Sequence, residues 1–334
     1  MASSSIIVTG VAGFIGSHVA RALTLRGETV IGIDNLNDYY DPQLKIDRLA
    51  TISNAAGKFE FINCDFADDA GLDTALAGIS YDRIVHLGAQ AGVRYSLENP
   101  RAYVKSNLSG HLNMLELARH ANIKHFVYAS SSSVYGQNAQ IPFSVGDRAD
   151  HPVSLYAATK KSDELMSESY AHLFRIPMTG LRFFTVYGPW GRPDMAPWLF
   201  TEAILQGRPI KVFNNGAMRR DFTYIDDVVA GLIAVLDQPP VDDGLSKRGG
   251  SQAPHAIYNI GNNKSENLAH FIEVIEAACG RSAEKIFMPM QDGDVPTTFA
   301  DIEAIRSDIG YNPTTPIEVG IPNFVDWYRK YKQL

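Results

Sequence analysis

Cysteine is scarce in this chain: there are two among 334 residues, Cys64 and Cys279, far apart in sequence. That excludes a disulfide framework and predicts reduced thiols in a cytosol. Positive charge is also short, with 30 Lys and Arg against 37 Asp and Glu and a net charge of −7. Such a balance argues against general binding to nucleic acid or to an anionic membrane, so an anionic ligand has to be captured by a few local arginines. No apolar run reaches the ~18 residues of a membrane span. The first strand pattern starts near residue 5, which leaves no room for a signal peptide. The nine histidines and two cysteines have no metal-ligand spacing, so no metal is expected. These absences predict a soluble, cytoplasmic globular protein, long enough for two lobes at ~150 residues each.

What is present begins at residue 6. A short apolar run leads into Thr9-Gly10-Val11-Ala12-Gly13-Phe14-Ile15-Gly16, a helical stretch follows over 17–26, and Asp34 ends the next apolar run, 18 residues after Gly16. Gly10 permits a tight turn out of the strand, Gly13 lets the backbone approach a pyrophosphate, and Gly16 lets the helix pack closely on the sheet. Free N–H groups and the dipole at the start of that helix attract phosphates. An acid near the expected ~20-residue spacing binds a ribose. Asp34 would accept both ribose hydroxyls and repel a 2′-phosphate, and no Lys or Arg occurs over 27–44 to offset it. The expected cofactor is therefore NAD rather than NADP.

Short apolar runs recur at 6–8, 30–33, 59–62, 84–87, 126–129 and 178–183, with helix-patterned segments between most of them. Alternation of that kind predicts an α/β fold, a Rossmann-type doubly wound parallel sheet. Ligands bind outside the carboxyl ends of such strands, which here are 10–16, 34–40, 65–66, 88–94, 130–133 and 185–192. After about residue 190 smaller strands (210–213, 222–225, 256–260, 286–288) intermix with helices (228–237, 266–279, 317–331). The expected division is a dinucleotide lobe over 1–185 and a smaller, mixed α/β substrate lobe over 186–334, with some exchange of chain between them. The Gly-, Ser-, Asp- and Pro-rich segment 239–254 reads as a mobile surface loop.

Tyr156 and Lys160 stand i, i+4 in a helical segment over 153–174, so both side chains share one face. An ammonium beside a phenol favours the phenolate and makes it usable as a base near neutrality. Alone, that spacing more often marks a half-buried Tyr beside a solvated Lys. Here a dinucleotide turn stands upstream, and four serines, Ser130 to Ser133, end a strand about 25 residues before the pair, which reverses the balance in favour of catalysis.

At these residues the sequence resembles the extended short-chain dehydrogenase/reductase superfamily. The resemblance is carried by the residue 10–16 turn, Ser130-Ser-Ser-Ser-Val-Tyr-Gly136, Tyr156-Ala-Ala-Thr-Lys160 and Asn107-Leu-Ser-Gly-His-Leu-Asn113. Four segments resemble nucleotide-sugar epimerases, specifically the UDP-glucuronate 4-epimerase branch of the NAD-dependent epimerase/dehydratase family. They are Asp34-Asn-Leu-Asn-Asp-Tyr-Tyr-Asp41, Ala89-Gln-Ala-Gly-Val-Arg-Tyr-Ser96, Arg182-Phe-Phe-Thr-Val-Tyr-Gly-Pro-Trp-Gly-Arg-Pro-Asp194 and Arg220-Asp-Phe-Thr-Tyr-Ile-Asp-Asp227.

The resemblance implies a UDP-sugar substrate and a homodimer, through helices over 101–121 and 153–174. By it, Tyr156 takes the proton from the sugar O4 while C4 gives a hydride to NAD, and the resulting 4-keto sugar rotates before the hydride returns. Lys160 would bind the nicotinamide ribose. Ser131 would hydrogen-bond O4, with Ser132 and Ser133 as adjacent alternatives; a loop whose hydroxyls satisfy the backbone describes at least one of the four serines. The cofactor would meet Asn35 beside Asp34, Asp65 at the adenine edge, Phe66, Leu87, Ala89, Gln90, Asn107, Ser130 and Phe183. Thr185 stands where epimerases of neutral UDP-hexoses resemble this motif with Asn, and a short hydroxyl leaves room for a C6 carboxylate and can donate to it. Thr185 and Ser132 are the expected carboxylate contacts. Arg192 would serve that carboxylate or the diphosphate, Arg220 the diphosphate and Asp294 the uridine ribose, while Arg94 would reach the sugar pocket or form a structural salt bridge. The family commonly has Pro where this chain has Asp292, so that loop departs from the pattern.

Competing readings keep the fold and change the outcome: a UDP-glucuronate decarboxylase, a UDP-hexose 4-epimerase, or a non-catalytic NAD-binding sensor. A sensor of that kind usually lacks the Tyr or the Lys. Dehydration is disfavoured because Ser132-Ser133 stand where sugar-nucleotide dehydratases resemble Asp-Glu.

Overall fold

The computed structural model describes residues 5–52, 56–138, 140–291 and 293–334; Asp292 lies outside the described residues. The six apolar runs form β1 (Ser5–Thr9), β2 (Thr29–Asp34), β3 (Lys58–Asn63), β4 (Tyr81–His86), β5 (His125–Ser131) and β6 (Met178–Phe183). Between them run α1 (Phe14–Leu25), α2 (Pro42–Ala50), α3 (Asp69–Leu76), the short α4 (Tyr95–Glu98) and α5 (Pro100–Tyr103), α6 (Gly110–Ala121) and α7 (Leu155–Phe174). The remaining chain supplies β7 (Thr185–Tyr187), α8 (Ala196–Gln206), β8 (Ile210–Val212), β9 (Arg219–Tyr224), α9 (Ile225–Leu236) and β10 (His255–Ile260). It ends with β11 (Ser265–Asn267), α10 (Leu268–Cys279), β12 (Lys285–Phe287), α11 (Glu303–Ile309) and α12 (Ile317–Lys332).

Seven strands form one parallel sheet in the order β3-β2-β1-β4-β5-β6-β10. The order reverses between β1 and β4, which is where such a sheet opens a ligand crevice. Central strands read as continuous apolar runs because both faces are covered. Alternate residues go to opposite cores: Ile6 and Val8 to one, Ile7 to the other. Beyond this sheet, β7 and β9 pair in parallel and β9 and β11 antiparallel, while β8 and β12 form a two-stranded parallel pair.

Four sequence expectations change. The strand at 255–260, assigned above to the second lobe, pairs with β6 and extends the central sheet, and α9 packs on α1. The helix placed at 266–279 starts at Leu268, because Ser265–Asn267 pairs with β9 and the Asn267 side chain then caps α10 through the Ala269 N–H. The segment 101–121 is not one regular helix; a π-helical turn, Val104–Ser109, separates α5 from α6. The 239–254 segment lies at the surface but is pinned there, by Arg175 on Asp242, Arg248 on Asp308 and Ser251 on Glu168. No helix among the described residues is long and apolar enough to cross a membrane.

Candidate active site

The turn after β1 is shaped by close approaches. Gly10 has φ +65°, and a Cβ there would lie 2.8 Å from the Cα and N of Gly88, so only glycine lets the β1 and β4 exits meet. Gly13 is the N-cap of α1 and donates its N–H to the Gly10 carbonyl at 2.9 Å. A Cβ on Gly16 would sit 2.1 Å from that carbonyl oxygen. Among the described residues no side chain caps α1, so its N-terminus around Phe14 and Ile15 is open to an anion. Asp34 is buried at the end of β2 and accepts N–H bonds from Ala12 (3.1 Å) and Leu36 (2.9 Å).

Burial raises the Asp34 carboxyl above its usual range; the two N–H donors, Lys45 and Arg48 oppose this. The expectation that no cation offsets Asp34 therefore needs correction: Lys45 and Arg48, one turn into α2, both act on it. Lys45 itself is held by the Asn37 carbonyl (2.6 Å) and side-chain oxygen (2.8 Å). Asn35 reaches Asp65, which also pairs with Lys105 at 2.7 Å. Although burial pushes the Asp65 carboxyl up, these bonds and the Ala67 N–H hold it below its usual value. The Phe66 ring is wedged between Gly88 and Gly110, where added Cβ atoms would lie 2.5 and 2.4 Å from it. It is a wall of the fold more than an open platform for a base.

Past β4, the loop carrying Leu87, Ala89 and Gln90 is bolted to α7. Asn107, within the π-helical turn, accepts the Gln90 N–H (2.8 Å) and donates to the Gln90 carbonyl (3.1 Å) and Thr159 Oγ1 (2.9 Å). Thr159 lies between Tyr156 and Lys160 on α7, whose N-cap is Ser154. Tyr156 is half-buried, with its ring edge-on to Tyr103 at 6.0 Å. Lys160 is 3 % exposed, and its ammonium donates to the Ala129 carbonyl (2.9 Å) and Asp163 Oδ2 (3.0 Å). Burial raises the Asp163 carboxyl to about 6 despite Lys160.

The lysine thus sits at the end of β5, beneath the serines. Ser130 is buried and spends its hydroxyl on Glu164 Oε1 (2.7 Å), so it belongs to the scaffold. Ser131 accepts the N–H (3.2 Å) and hydroxyl (2.9 Å) of Ser133 as N-cap of a 3-10 turn. Ser131, Ser132 and Ser133 are partly exposed. Phe183 is level with Ser131 across the β5–β6 register.

The expected substrate residues fall into two groups. Thr185 pairs with Phe222 of β9, two residues from Arg220. Arg220 donates to the carbonyls of Arg219 (2.9 Å) and Pro296 (3.2 Å), and burial lowers its guanidinium while Asp294 opposes and Arg94 adds. Arg94 pairs with Asp294 at 3.7 Å and lies 5.4 Å over the Phe213 ring. The second group is Arg192, doubly bonded to Asp194 (3.0 and 2.5 Å), with the Tyr39 hydroxyl also on Asp194 (3.1 Å). A Cβ on Gly92 would be 3.6 Å from Arg192 Nη2 and 3.8 Å from the Tyr103 hydroxyl, and Tyr103 leads directly to Tyr156.

With that geometry in place, comparison with known proteins is decisive at the level of family. Residues 6–261 match the NAD dependent epimerase/dehydratase family. The chain belongs to that family. A probable UDP-glucuronate 4-epimerase of Rhizobium meliloti is 48 % identical over 96 % of both chains. The crystal structure of UDP-glucuronic acid 4-epimerase from Bacillus cereus, with UDP-glucuronic acid and NAD, superposes with a TM-score of 0.85 at 33 % identity, covering 98 % of this chain and 99 % of that one. A UDP-glucose 4-epimerase from Thermotoga maritima superposes equally well, TM-score 0.85, at 28 % identity over 98 % and 99 % of the two chains. Within this epimerase family, fold alone therefore does not choose the sugar.

Sequence reasoning missed several residues that the structure brings to the site. Asp194, two residues after Arg192, is legible from its place in the sequence, whereas Tyr39 reaches Asp194 only through the fold. Asp163 stands i+3 from Lys160 on α7 and is legible from helical spacing, whereas Phe213, Tyr103 and Arg48 gave no local signal, since each acquires its role from a partner distant in sequence or folded against it.

Proposed function

We propose that this chain is a UDP-glucuronate 4-epimerase, interconverting UDP-glucuronate and UDP-galacturonate through a transient 4-keto sugar. The observation that carries the reading is the seat of Lys160 on the Ala129 carbonyl, with Tyr156 one turn away and Ser131–Ser133 at the same strand end. The tight Gly10–Gly16 turn, the uncapped N-terminus of α1 and the buried Asp34 at the end of β2 fit a dinucleotide. NAD bound there supplies hydride acceptance from C4 and hydride return to the opposite face.

Tyr156 removes the O4 proton and gives it back, with Ser131 hydrogen-bonded to O4 and Lys160 holding the nicotinamide ribose. Asp34 and Asn35 take the adenosine ribose side, Asp65 the adenine edge, and Asn107 holds the Gln90 loop against α7. Arg220 clamps the diphosphate, Asp294 takes the uridine ribose, and Arg94 with Phe213 completes that end. Arg192 is assigned to the sugar end, because Arg192 and the Tyr103 hydroxyl both border Gly92 and the Tyr103 ring lies against Tyr156.

Once C4 is a ketone, the C5 carboxylate is a β-keto acid and loses CO2 readily. Holding the carboxylate by hydrogen bonds from Thr185, Ser132 and Arg192 keeps its scissile bond out of line with the ketone π-system. At equal coverage in superposition, the identity of 33 % to the UDP-glucuronic acid 4-epimerase against 28 % to the UDP-glucose enzyme favours the uronate. The working division is an NAD lobe over 1–185 and a sugar-nucleotide lobe over 186–334, with α9 and β10 returned to the first. A homodimer through α6 and α7 would cover the exposed Leu112, Leu165 and Phe174, and light scattering should give twice the chain mass. The free thiols of Cys64 and Cys279 accord with a cytoplasmic protein.

The test is incubation of the purified protein, with no cofactor added, with UDP-glucuronate and separately with UDP-glucose. Conversion of the uronate to an isomer of equal mass is expected, abolished by Tyr156→Phe. Loss of CO2 would make it a decarboxylase, and turnover of UDP-glucose alone would mean that Thr185 does not select a carboxylate.

A further inference from the structure

Arg48, on α2, is fully buried, yet its bonds found among the described residues go to neutral oxygens. Nε and Nη2 both donate to the Trp190 carbonyl (3.0 and 2.8 Å), and Nη2 also donates to the Gly191 carbonyl (3.1 Å). Nη1 donates to the Ala12 carbonyl (3.2 Å) and the Tyr40 hydroxyl (2.6 Å), and the guanidinium lies 5.3 Å over the Tyr40 ring. Burying a cation whose bonds all go to neutral oxygens is expensive, and the Asp34 carboxylate, which acts on it through space without a bond, offsets part of that cost.

The place of those acceptors indicates a use. Ala12 lies in the dinucleotide turn, between Gly10 and Gly13, while Trp190 and Gly191 immediately precede Arg192. Trp190 has φ +64°, a left-handed backbone that a bulky side chain rarely adopts. Its carbonyl is turned to the Arg48 fork, and its ring is packed against Trp327 (5.1 Å) and Tyr331 (5.2 Å) of α12. Tyr331 in turn bonds Asp47, the neighbour of Arg48, at 2.7 Å. One guanidinium therefore spans the cofactor turn and the loop that ends in Arg192.

We propose that Arg48 is a positioning residue of the reaction: it fixes Trp190 in its left-handed conformation and so sets Arg192 against the cofactor turn. Arg48 touches neither substrate nor cofactor and acts through Arg192. The inference rests on the reading above, in which Arg192 meets the uronate end of the substrate. Lysine at position 48 keeps the charge and loses the planar fork that grips two carbonyls at once.

A double-mutant cycle in the full-length protein tests this, with Arg48→Lys, Arg192→Gln and the pair, measuring kcat and KM for UDP-glucuronate. The expected result is a KM raised about tenfold by Arg48→Lys with kcat changed less than about threefold, and an effect on kcat/KM that shrinks below about threefold in the Arg192→Gln background. Equal fold-losses in the two backgrounds would make Arg48 a structural residue and overturn the proposal. If Arg48→Lys does not fold, Tyr40→Phe removes one acceptor while leaving the cation in place. It should raise KM about two- to fivefold, again only while Arg192 is present. A wild-type protein that does not turn over UDP-glucuronate would instead remove the functional reading, and with it the premise, before the cycle is run.

Discussion

Glu164 stands one turn beyond Lys160 and joins the serine run to β6, so its removal tests how the site floor is held. Its carboxylate takes a two-pronged bond from Arg182 (2.8 and 2.9 Å), the Ser130 hydroxyl (2.7 Å) and the Lys161 ammonium (3.1 Å), with both members of the Arg pair under 5 % exposed. Burial alone would push the carboxyl up; the Arg182 fork, Lys161 and Ser130 outweigh it and hold it at about 2 against an ordinary 4.5. That depression corresponds to about 3 kcal/mol of stability. Because the folded value is lowered, the contribution is complete above about pH 5 and is lost as pH falls from 4.5 towards 2, leaving roughly half or less at pH 3. Glu164→Gln keeps the shape and the acceptor for Ser130 but leaves Arg182 buried without a counter-charge, at a cost of about 3–5 kcal/mol. Urea denaturation of wild type and variant, followed by circular dichroism, should give a gap of that size at pH 7.5 that narrows by about half at pH 3. The double change Glu164→Leu with Arg182→Met should recover most of the loss. A gap below about 1 kcal/mol at pH 7.5, or one that does not move with pH, would refute this account of the pair.

Three further substitutions probe separate parts of the site. Gly16→Ala puts a methyl 2.1 Å from the Gly10 carbonyl oxygen; a cost of about 1–3 kcal/mol should appear as a protein purified with little bound nucleotide, read from its absorbance at 260 against 280 nm. Asn107→Ala strips partners from both the N–H and the carbonyl of Gln90 and from Thr159. It should lower stability by about 1–3 kcal/mol and reduce kcat more than it raises KM for the UDP-sugar. Thr185→Ala should release a UDP-pentose by-product, detected by mass, and weaken uronate binding by roughly 1 kcal/mol; no by-product with unchanged affinity would argue against a carboxylate role.

The fold was legible where strands are buried on both faces. Runs such as Ile6-Ile7-Val8 and Phe126-Val127-Tyr128 need no partner to be recognised, since their composition already states that both sides are covered. The strand at 255–260 is composed in the same way, yet its assignment failed, because which sheet a strand joins depends on its pairing with β6 some 75 residues earlier and not on its own composition. Of the three-residue strands, β8 and β12 fall where the sequence placed strands at 210–213 and 286–288, while β7 and β11 are too short to carry a period at all. The helix expected over 266–279 therefore takes in Glu266 and Asn267 of β11. The π-helical turn was equally hidden, since Val104–Ser109 differs from its helical neighbours by one shifted bond register, and that shift seats Asn107 against Gln90 and Thr159.

The site divides along the same line. Strand ends place a residue at the carboxyl edge of the sheet from its position in the chain, which is why Gly10, Asp34 and the serine run are legible without a structure, whereas Thr185 is legible only through the family motif that contains it. The Tyr156–Lys160 spacing is local, but it points to catalysis only beside the upstream glycine turn and the serine run. Residues that orient these groups from behind follow no such rule. Arg48 is read as an ordinary basic residue of an amphipathic helix until Trp190, 142 positions away, presents its carbonyl. Lys45 lies one residue beyond the cation-free stretch 27–44, and α2 turns it back towards Asp34 through space. Electrostatics around a cofactor site is set by distance in three dimensions, so a window of sequence can exclude a neighbouring charge only where the chain does not fold back. At Asp34 it does, and the discrimination between NAD and NADP then rests on the carboxylate itself. Its two oxygens, already oriented by the Ala12 and Leu36 N–H groups, retain lone pairs for ribose hydroxyls and none of the geometry that would welcome a phosphate.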